Sequence, residues 1–133
     1  MQATTKKWII LVAEDDAAFR RVLTFQLIKA GYEVIIAHDG REALDWLHHP
    51  HQRPDVVLLD LLMPQQSGLD VLRVIRTLPY DLPVILMSQA ERAIAREGVD
   101  QAAPDVFLAK PFAISTLLTT IQSLLPLHSQ RNR

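Results

Sequence analysis

The chain has 133 residues, of which 49% are hydrophobic, 14 are basic and 15 are acidic, and its formal net charge is -1. This length and apolar content predict one globular domain, and the charge balance excludes binding of nucleic acid or an anionic membrane through an overall positive field. The chain has no cysteine, which excludes disulfides and thiolate sites. Its first apolar run, "WIILVA", is too short for a membrane span or a signal sequence, so we expect a cytoplasmic protein.

Five short apolar runs, rich in branched residues, are predicted to form strands that are buried on both faces. They are "WIILV" (8–12), "VIIA" (34–37), "VVLL" (56–59), "VILM" (84–87) and "VFLA" (106–109). Helical patterns separate or follow them. The first helix has apolar residues at Phe19, Val22, Leu23, Leu27 and Ala30, and Gly31 is its predicted C-terminal cap. The others are "GREALDWLHH", "GLDVLRVIRTL", "AERAIAREGVDQAA" and a fifth with Ile114, Leu117, Leu118, Ile121 and Leu125.

Strand and helix therefore alternate five times. Such alternation predicts right-handed βαβ crossovers and a doubly wound α/β fold, in which helices cover both faces of a five-stranded parallel sheet. We expect one domain over residues 1–126 and a polar C-terminal tail over residues 127–133.

Polar or charged residues follow four of the five predicted strands. In a parallel sheet these positions meet at one edge, where ligands bind. The first strand is followed by Ala13 and the acids Glu14, Asp15 and Asp16, the third by Asp60, the fourth by Ser88 and the fifth by Lys110. We therefore expect a single crevice lined by several carboxylates and one lysine.

Consecutive acids at the end of a buried strand need a compensating charge, which a helix N-terminus, a lysine or a bound cation could supply. Because several carboxylates facing one lysine leave excess negative charge, we predict a divalent cation held by Glu14 and Asp15, with Asp60 beside it. Mg²⁺ fits oxygen ligands best, with Mn²⁺ as the alternative. Ser88 and Lys110 would contact a phosphoryl group that Asp60 accepts as a nucleophile, which predicts an aspartyl phosphate.

These motifs resemble the receiver domain of response regulators in two-component signalling. The matching pieces are "ILVAEDD", "AHDGREALDWL", "PDVVLLDLLMPQQSGLDVL", "PVILMSQA" and "FLAKPF", in family order and spacing. The resemblance implies a flavodoxin-like (βα)5 fold like that of single-domain chemotaxis regulators. For the site it implies that Asp60 is the phosphoacceptor and that Glu14, Asp15 and the backbone carbonyl of Leu62 bind Mg²⁺. It also implies that Ser88 is the switch hydroxyl, that Lys110 binds the phosphate and that Phe107 is the aromatic switch residue. Finally, it implies a cis bond between Lys110 and Pro111.

The resemblance also implies partners. A histidine kinase or a histidine phosphotransfer protein would donate the phosphoryl group, and the chain would catalyse only its own phosphorylation and dephosphorylation, so it would not be an enzyme. Phosphorylation would remodel the face formed by the fourth helix, the fifth strand and the fifth helix for a downstream protein, whose identity the residues leave open. The same face could serve a homodimer. No direct contact with nucleic acid or a membrane is expected.

Several positions depart from the common family pattern. Ala103-Pro104 stands where many relatives have Gly-Ala, so the turn before the fifth strand must be made differently. Leu62 and Ala90 lie where family side chains tune hydrolysis of the phosphoryl bond, and neither can position water, so no particular phosphate lifetime is implied. Phe107 replaces a frequent tyrosine and lacks its hydroxyl.

Several residues have simpler interpretations. Asp15 or Asp16 could cap the first helix, and Asp16 could serve both as a cap and as an outer acid near the metal. Ser88 taken alone is more often a helix cap than a switch, but its place after the fourth strand favours the switch. The histidines of "HHPH" (48–51) are predicted to be solvated surface rather than a metal site.

The fifth predicted helix, "AISTLLTTIQSLLP", contains no charged residue. Its outer face is either an ordinary serine and threonine surface or a docking surface free of charge repulsion, and we favour docking. Trp8 and Trp46 are predicted to be packing residues rather than a recognition platform.

Three rival functional classes fit less well. A flavin-binding module would need a first loop that donates to a phosphate, whereas "AEDDAA" would repel one. A magnesium phosphatase would place its nucleophile after the first strand, and a phosphorylation-independent scaffold would not need the five site residues.

The initiating methionine and short polar tail favour a stand-alone receiver, although a receiver fragment of a larger DNA-binding regulator would look the same.

Overall fold

The computed structural model describes residues 7–49, 51–89 and 103–125. Its strands are β1 (Ile9–Ala13), β2 (Glu33–Ala37), β3 (Val56–Asp60), β4 (Val84–Ser88) and β5 (Val106–Ala109). Its helices are α1 (Ala17–Lys29), α2 (Gly40–Leu47), α3 (Gly68–Ile75) and the C-terminal helix (Ile114–Leu124). The fourth predicted helix, over residues 90–103, lies outside the described residues except at Ala103.

All five strands pair in parallel, in the order β2-β1-β3-β4-β5. The predicted five-stranded α/β sheet is confirmed, and each strand begins and ends within one residue of its predicted bounds. The chain runs outward from β1 to β2 and then returns to place β3 on the other side of β1. Since a crevice opens at the carboxyl ends of strands where the order reverses, the topology places a ligand site at the ends of β1 and β3.

Alternate residues of the strands face two separate hydrophobic cores. Along β3, Val57 and Leu59 pack with α2 and α3, whereas Val56 and Leu58 pack with α1 and the C-terminal helix. Every residue of β3 and β4 is buried, which explains their unbroken apolar runs. The sheet is thus covered on both faces, and its carboxyl edge is left to the polar residues.

Side chains at that edge also begin the helices. The carboxylate of Asp16 accepts hydrogen bonds from the backbone N–H groups of Ala18 and Phe19, so Asp16 is the N-cap of α1. Asp39 and Ser67 cap α2 and α3 in the same way. These hydrogen bonds to the first turn of each helix fix the connection between a strand and the helix that follows it. They therefore help to fix the positions of the site residues in those connections.

The predicted buried face of α1 is only partly right. Leu23 and Leu27 are buried, but Val22 is 50% exposed, and the unpredicted Phe25 and Ile28 are exposed as well. The reason is that α1 contacts the sheet through one narrow stripe at i and i+4, and Val22 lies about 100° around the helix from Leu23. No helix among residues 7–49, 51–89 and 103–125 is long and apolar enough to cross a membrane.

Two further predictions about the helices agree with the structure. Gly31 has a φ of 101°, a left-handed conformation that suits glycine, and it follows the last turn of α1 as predicted. In the C-terminal helix, Leu117 and Ile121 are buried in the core shared with α1. The predicted apolar pattern of this helix is confirmed.

Candidate functional site

Three carboxylates meet at the carboxyl ends of β1 and β3. Glu14 and Asp15 follow β1, Asp60 is the last residue of β3, and one oxygen from each lies within 4.8 Å of the others. Glu14 is fully buried and Asp60 is 6% exposed, whereas Asp15 is exposed. The predicted convergence of these acids is what the structure shows, although their roles stay predictions.

Lys110 supplies the positive charge nearest to this cluster. Its Nζ lies 2.9 Å from Oε1 of Glu14 and 3.4 Å from Oδ1 of Asp60. The backbone N–H of Lys110 donates to the carbonyl of Ser88 at 3.0 Å, which ties the end of β5 to the end of β4. The Lys110–Pro111 peptide bond is cis. One ammonium group therefore faces two buried acids and leaves an excess of negative charge.

That imbalance changes the acidity of Asp60. Burial, together with the charge of Glu14, raises the pKa of Asp60 to about 7, and the opposing effect of Lys110 is too small to prevent this. In the metal-free protein Asp60 thus holds a proton over a pH range in which an ordinary aspartate is ionised. A cation that binds at the cluster would favour the ionised carboxylate, which is the form able to act as a nucleophile.

The backbone around Glu14 is fixed by hydrogen bonds from two sides. Its N–H donates to the carbonyl of Ala37 in β2 at 3.2 Å, and Nη1 of Arg20 donates to its carbonyl oxygen at 2.8 Å. One of its carboxylate oxygens also accepts from the N–H of Asp16 at 3.1 Å. Arg20 was not predicted from the sequence. Its position one turn beyond the cap of α1 is the signal that could have identified it.

Two phenylalanines lie beside Lys110 and were also missed. The ammonium group stands over the ring of Phe19, 4.7 Å from its centroid. The rings of Phe19 and Phe112 meet edge to face, with centroids 5.8 Å apart and an interplanar angle of 67°. The sequence signal was an aromatic residue in the first turn after the acids and another directly after the Lys-Pro pair.

The remaining predicted residues lie around this centre. Ser88 is the last residue of β4 and is buried. Phe107 is half-buried in β5 and packs against the core that contains α2 and α3. The side chain of Leu62, two residues beyond Asp60, is 66% exposed. Asp16 is the N-cap described above, and a further role near a metal stays a prediction.

The histidine-rich loop is separate from this site. Nδ1 of His48 lies 2.7 Å from the carbonyl oxygen of Leu44, and Nδ1 of His49 accepts from the N–H of His51 at 3.2 Å. In the part of the chain that the structure describes, these histidines do not form a group that could hold a metal. The two tryptophans pack as predicted, Trp8 in the core with α1 and Trp46 against the core with α2.

Gly68 allows the loop after β3 to pass close to Asp60. A Cβ at this position would overlap the backbone carbonyl oxygen of Asp60 and lie 2.8 Å from Cα of Leu61. We expect Gly68→Ala to destabilise the protein by about 2 kcal/mol in urea unfolding, because backbone must move to make room. Amide shifts in Asp60 and Leu61 should change with it. Gly31→Ala, where the Cβ has open space, should lower stability through its positive φ and leave those amides unchanged.

The donor set of the cluster fits a hard divalent cation. All three side chains offer carboxylate oxygens, which Mg²⁺ and Mn²⁺ prefer, and there is no thiolate in the chain that would favour a softer metal. The exposed Asp15 leaves one side of the cluster open to solvent, where water or a phosphoryl oxygen could complete the coordination.

Known proteins resemble this chain in both amino-acid sequence and fold. The family described as response regulator receiver domain matches residues 10–122. Response regulator MprA from Mycolicibacterium vanbaalenii is 41% identical over 116 residues, which are 87% of this chain and 49% of that protein. The chain therefore spans about half the length of the curated relatives it matches.

Two solved structures carry magnesium on the same fold. Response regulator TrrA from Thermotoga maritima, in complex with Mg²⁺-BeF, has a TM-score of 0.77 and 33% identity, over 89% of this chain and 99% of that chain. The receiver domain of sensor histidine kinase PA1611 from Pseudomonas aeruginosa PAO1, with magnesium in its active site cleft, has a TM-score of 0.80 and 30% identity, over 90% of this chain and 98% of that chain.

Proposed function

Because this chain belongs to the response regulator receiver domain family, we propose that it is a phosphoacceptor switch that takes a phosphoryl group from a phosphohistidine onto Asp60. The observation that carries the proposal is the position of Asp60: its carboxylate is buried at the end of β3, lies 3.4 Å from Nζ of Lys110 and shares a cluster with Glu14 and Asp15. A single carboxylate placed among two other acids and one lysine is arranged to receive an anionic group once the negative charge is compensated.

In the proposed transfer, a carboxylate oxygen of Asp60 attacks phosphorus. The bond between phosphorus and the imidazole nitrogen of the donor breaks as the new bond to oxygen forms, and the electron pair of the broken bond stays with the imidazole. Lys110 neutralises charge on a phosphoryl oxygen, and the hydroxyl of Ser88, at the end of the neighbouring strand, donates to another. These residues lie on three adjacent strand ends, so they approach the phosphoryl group from different directions.

Glu14 and Asp15 would hold Mg²⁺, or Mn²⁺ in its place, together with Asp60 and the backbone carbonyl of Leu62. The cation would supply charge neutralisation and orientation of the phosphoryl oxygens. Arg20 contributes indirectly, because its hydrogen bond to the carbonyl of Glu14 fixes the backbone that carries the metal ligands.

The signal would leave the site through Ser88 and Phe107. A hydroxyl drawn toward the phosphoryl group vacates space that the ring of Phe107 can occupy, and the two positions of the ring are the two states of the switch. The affected surface would include β5 and the C-terminal helix, which are the described part of the face that the sequence predicts to be remodelled. Its uncharged helix is the proposed docking surface for a downstream protein or for a second copy of the chain.

The proposed partners are a histidine kinase or a histidine phosphotransfer protein in the cytoplasm. The chain would direct chemistry only at its own Asp60, by accepting and later losing the phosphoryl group, rather than turn over a substrate. No direct contact with nucleic acid or a membrane is part of the proposal.

Uptake of one phosphoryl group tests this function. We expect the intact mass to rise by one phosphoryl group when the protein is incubated with acetyl phosphate and Mg²⁺, and to stay unchanged when a chelator removes the metal. Uptake that is equally fast without a divalent cation would contradict the proposed role of the acids, and no uptake under any condition would contradict the function itself.

A second candidate is that these residues are the receiver portion of a larger DNA-binding regulator. It is favoured by the relatives, which are about twice as long as the matched segment. The open reading frame that encodes the chain would decide between the two, because a coding region for a second domain directly downstream would identify the longer regulator.

A further inference from the structure

We propose that Phe19 is a positioning residue for Lys110: its ring holds the ammonium group beside the acids while leaving the N–H bonds of that group available to a phosphoryl oxygen. The inference rests on the proposed function, because it assigns a role within the same site. It concerns a contact between α1 and the end of β5 that the motifs of the sequence do not identify.

The geometry places three groups around one ammonium. Nζ of Lys110 is 2.9 Å from Glu14 and 3.4 Å from Asp60, and it stands over the ring of Phe19 at 4.7 Å from the centroid. A cation within about 6 Å of an aromatic centroid is attracted by the negative face of the ring. The side chain of Lys110 is only 16% exposed, so little water competes with this attraction.

The ring of Phe19 acts on the ammonium group differently from a third carboxylate oxygen added to those of Glu14 and Asp60. An ammonium group has three N–H donors, and a carboxylate in place of the ring would bind one of them strongly. The ring attracts the charge without fixing the direction of any one N–H bond. Lys110 can therefore exchange its contact with Glu14 for a contact with a phosphoryl oxygen while the ring continues to support it.

Both sides of the contact are themselves held in place. Oδ1 of Asp16 accepts from the N–H of Phe19 at 3.2 Å, which fixes the first turn of α1, and the edge-to-face contact with Phe112 orients the ring. On the other side, the N–H of Lys110 donates to the carbonyl of Ser88. Ring and ammonium are thus brought together by two separate parts of the fold.

Phe19→Leu tests the role, because it keeps an apolar side chain and removes the ring. At saturating acetyl phosphate and Mg²⁺, we expect its phosphorylation rate constant to be roughly three- to tenfold below that of the wild type. Phe25→Leu is the matched control: the same substitution, in the same helix, at a phenylalanine that is 63% exposed. It should leave the rate unchanged. A wild-type rate in Phe19→Leu would overturn the positioning role.

Loss of packing alone could also slow the reaction, so a double-mutant cycle isolates the charge. In urea unfolding, Phe19→Leu should change the unfolding equilibrium constant roughly two- to fivefold more in the Lys110 protein than in a Lys110→Met background. Equal effects in both backgrounds would show packing without attraction, and would overturn the inference.

A measurement on the wild-type protein does not depend on how well the variants fold. The Cε protons of Lys110 should be shifted upfield by the ring current of Phe19 and return to ordinary values in Phe19→Leu; ordinary values in the wild type would overturn the contact. These results are separable from the proposed function. If the wild type took up no phosphoryl group, the function would fail, while the cycle and the ring-current shift would still report on the contact.

Discussion

Replacing Lys110 by methionine is expected to destabilise the metal-free protein by roughly 3 kcal/mol at pH 8 and to slow phosphorylation by about 100-fold. Methionine keeps much of the apolar stem but removes the ammonium that lies 2.9 Å from the fully buried Glu14 and 3.4 Å from Asp60. Two acids would then share a buried site without a counter-charge. Urea unfolding measures the first effect, and single-turnover phosphorylation by acetyl phosphate measures the second.

Two comparisons identify the cause of these losses. Excess Mg²⁺ should recover part of the lost stability, because a divalent cation at the cluster supplies the charge that the lysine supplied. Lys110→Arg should recover part of the stability but not the phosphorylation rate, because a guanidinium keeps a positive charge near the acids but presents its N–H donors in a different geometry from the ammonium. Stability in Lys110→Met equal to that of the wild type at pH 8 would contradict the assigned electrostatics.

Replacing Asp60 by asparagine is expected to change how stability depends on pH. Burial and the charge of Glu14 raise the pKa of Asp60 to about 7 in the folded protein, whereas an aspartate in an unfolded chain titrates near about 3.9. The folded state binds the proton of Asp60 more tightly than the unfolded state does. The stability that this proton binding contributes is therefore fully present below about pH 4 and is lost as the pH rises through about 7. Asparagine does not ionise and avoids the loss.

The stability of Asp60→Asn relative to the wild type should therefore increase by on the order of 2–3 kcal/mol between pH 4.5 and pH 8 in metal-free buffer. Urea unfolding at a series of pH values measures the difference. Asp81→Asn, an exposed acid ahead of β4, is the matched control and should show no such increase. Excess Mg²⁺ should reduce the advantage of asparagine, because a cation favours the ionised carboxylate. A stability difference between Asp60→Asn and the wild type that does not vary with pH would mean that the surroundings of Asp60 do not raise its pKa.

The fold and the acid cluster were predictable because both depend on simple patterns. The runs that became β3 and β4 are apolar at nearly every position, as strands buried on both faces must be, and Asp60 and Ser88 end them. Parallel strands place such terminal residues at one edge. The convergence of Glu14, Asp15 and Asp60 therefore follows from the strand assignments without any knowledge of their distances.

Other features depend on geometry that a linear pattern does not contain. Lys110 and Glu14 are 96 residues apart in the chain, and nothing in the sequence indicated that the lysine would contact Glu14 more closely than Asp60. The contact with Phe19 depends on the rotation of α1 about its axis. The same rotation leaves Val22 exposed, against the prediction from its spacing. A helix on a sheet buries only the stripe that faces the strands, and the width of that stripe is set by packing.

The central claim is that Asp60 receives the phosphoryl group, and locating the modified residue tests it most directly. After incubation with acetyl phosphate and Mg²⁺, borohydride would reduce an aspartyl phosphate to the corresponding alcohol, and peptide mass spectrometry would locate it. The account predicts conversion of Asp60 alone, and none in Asp60→Asn. Conversion at Asp15 or at another acid, or equal phosphoryl uptake by Asp60→Asn, would contradict it.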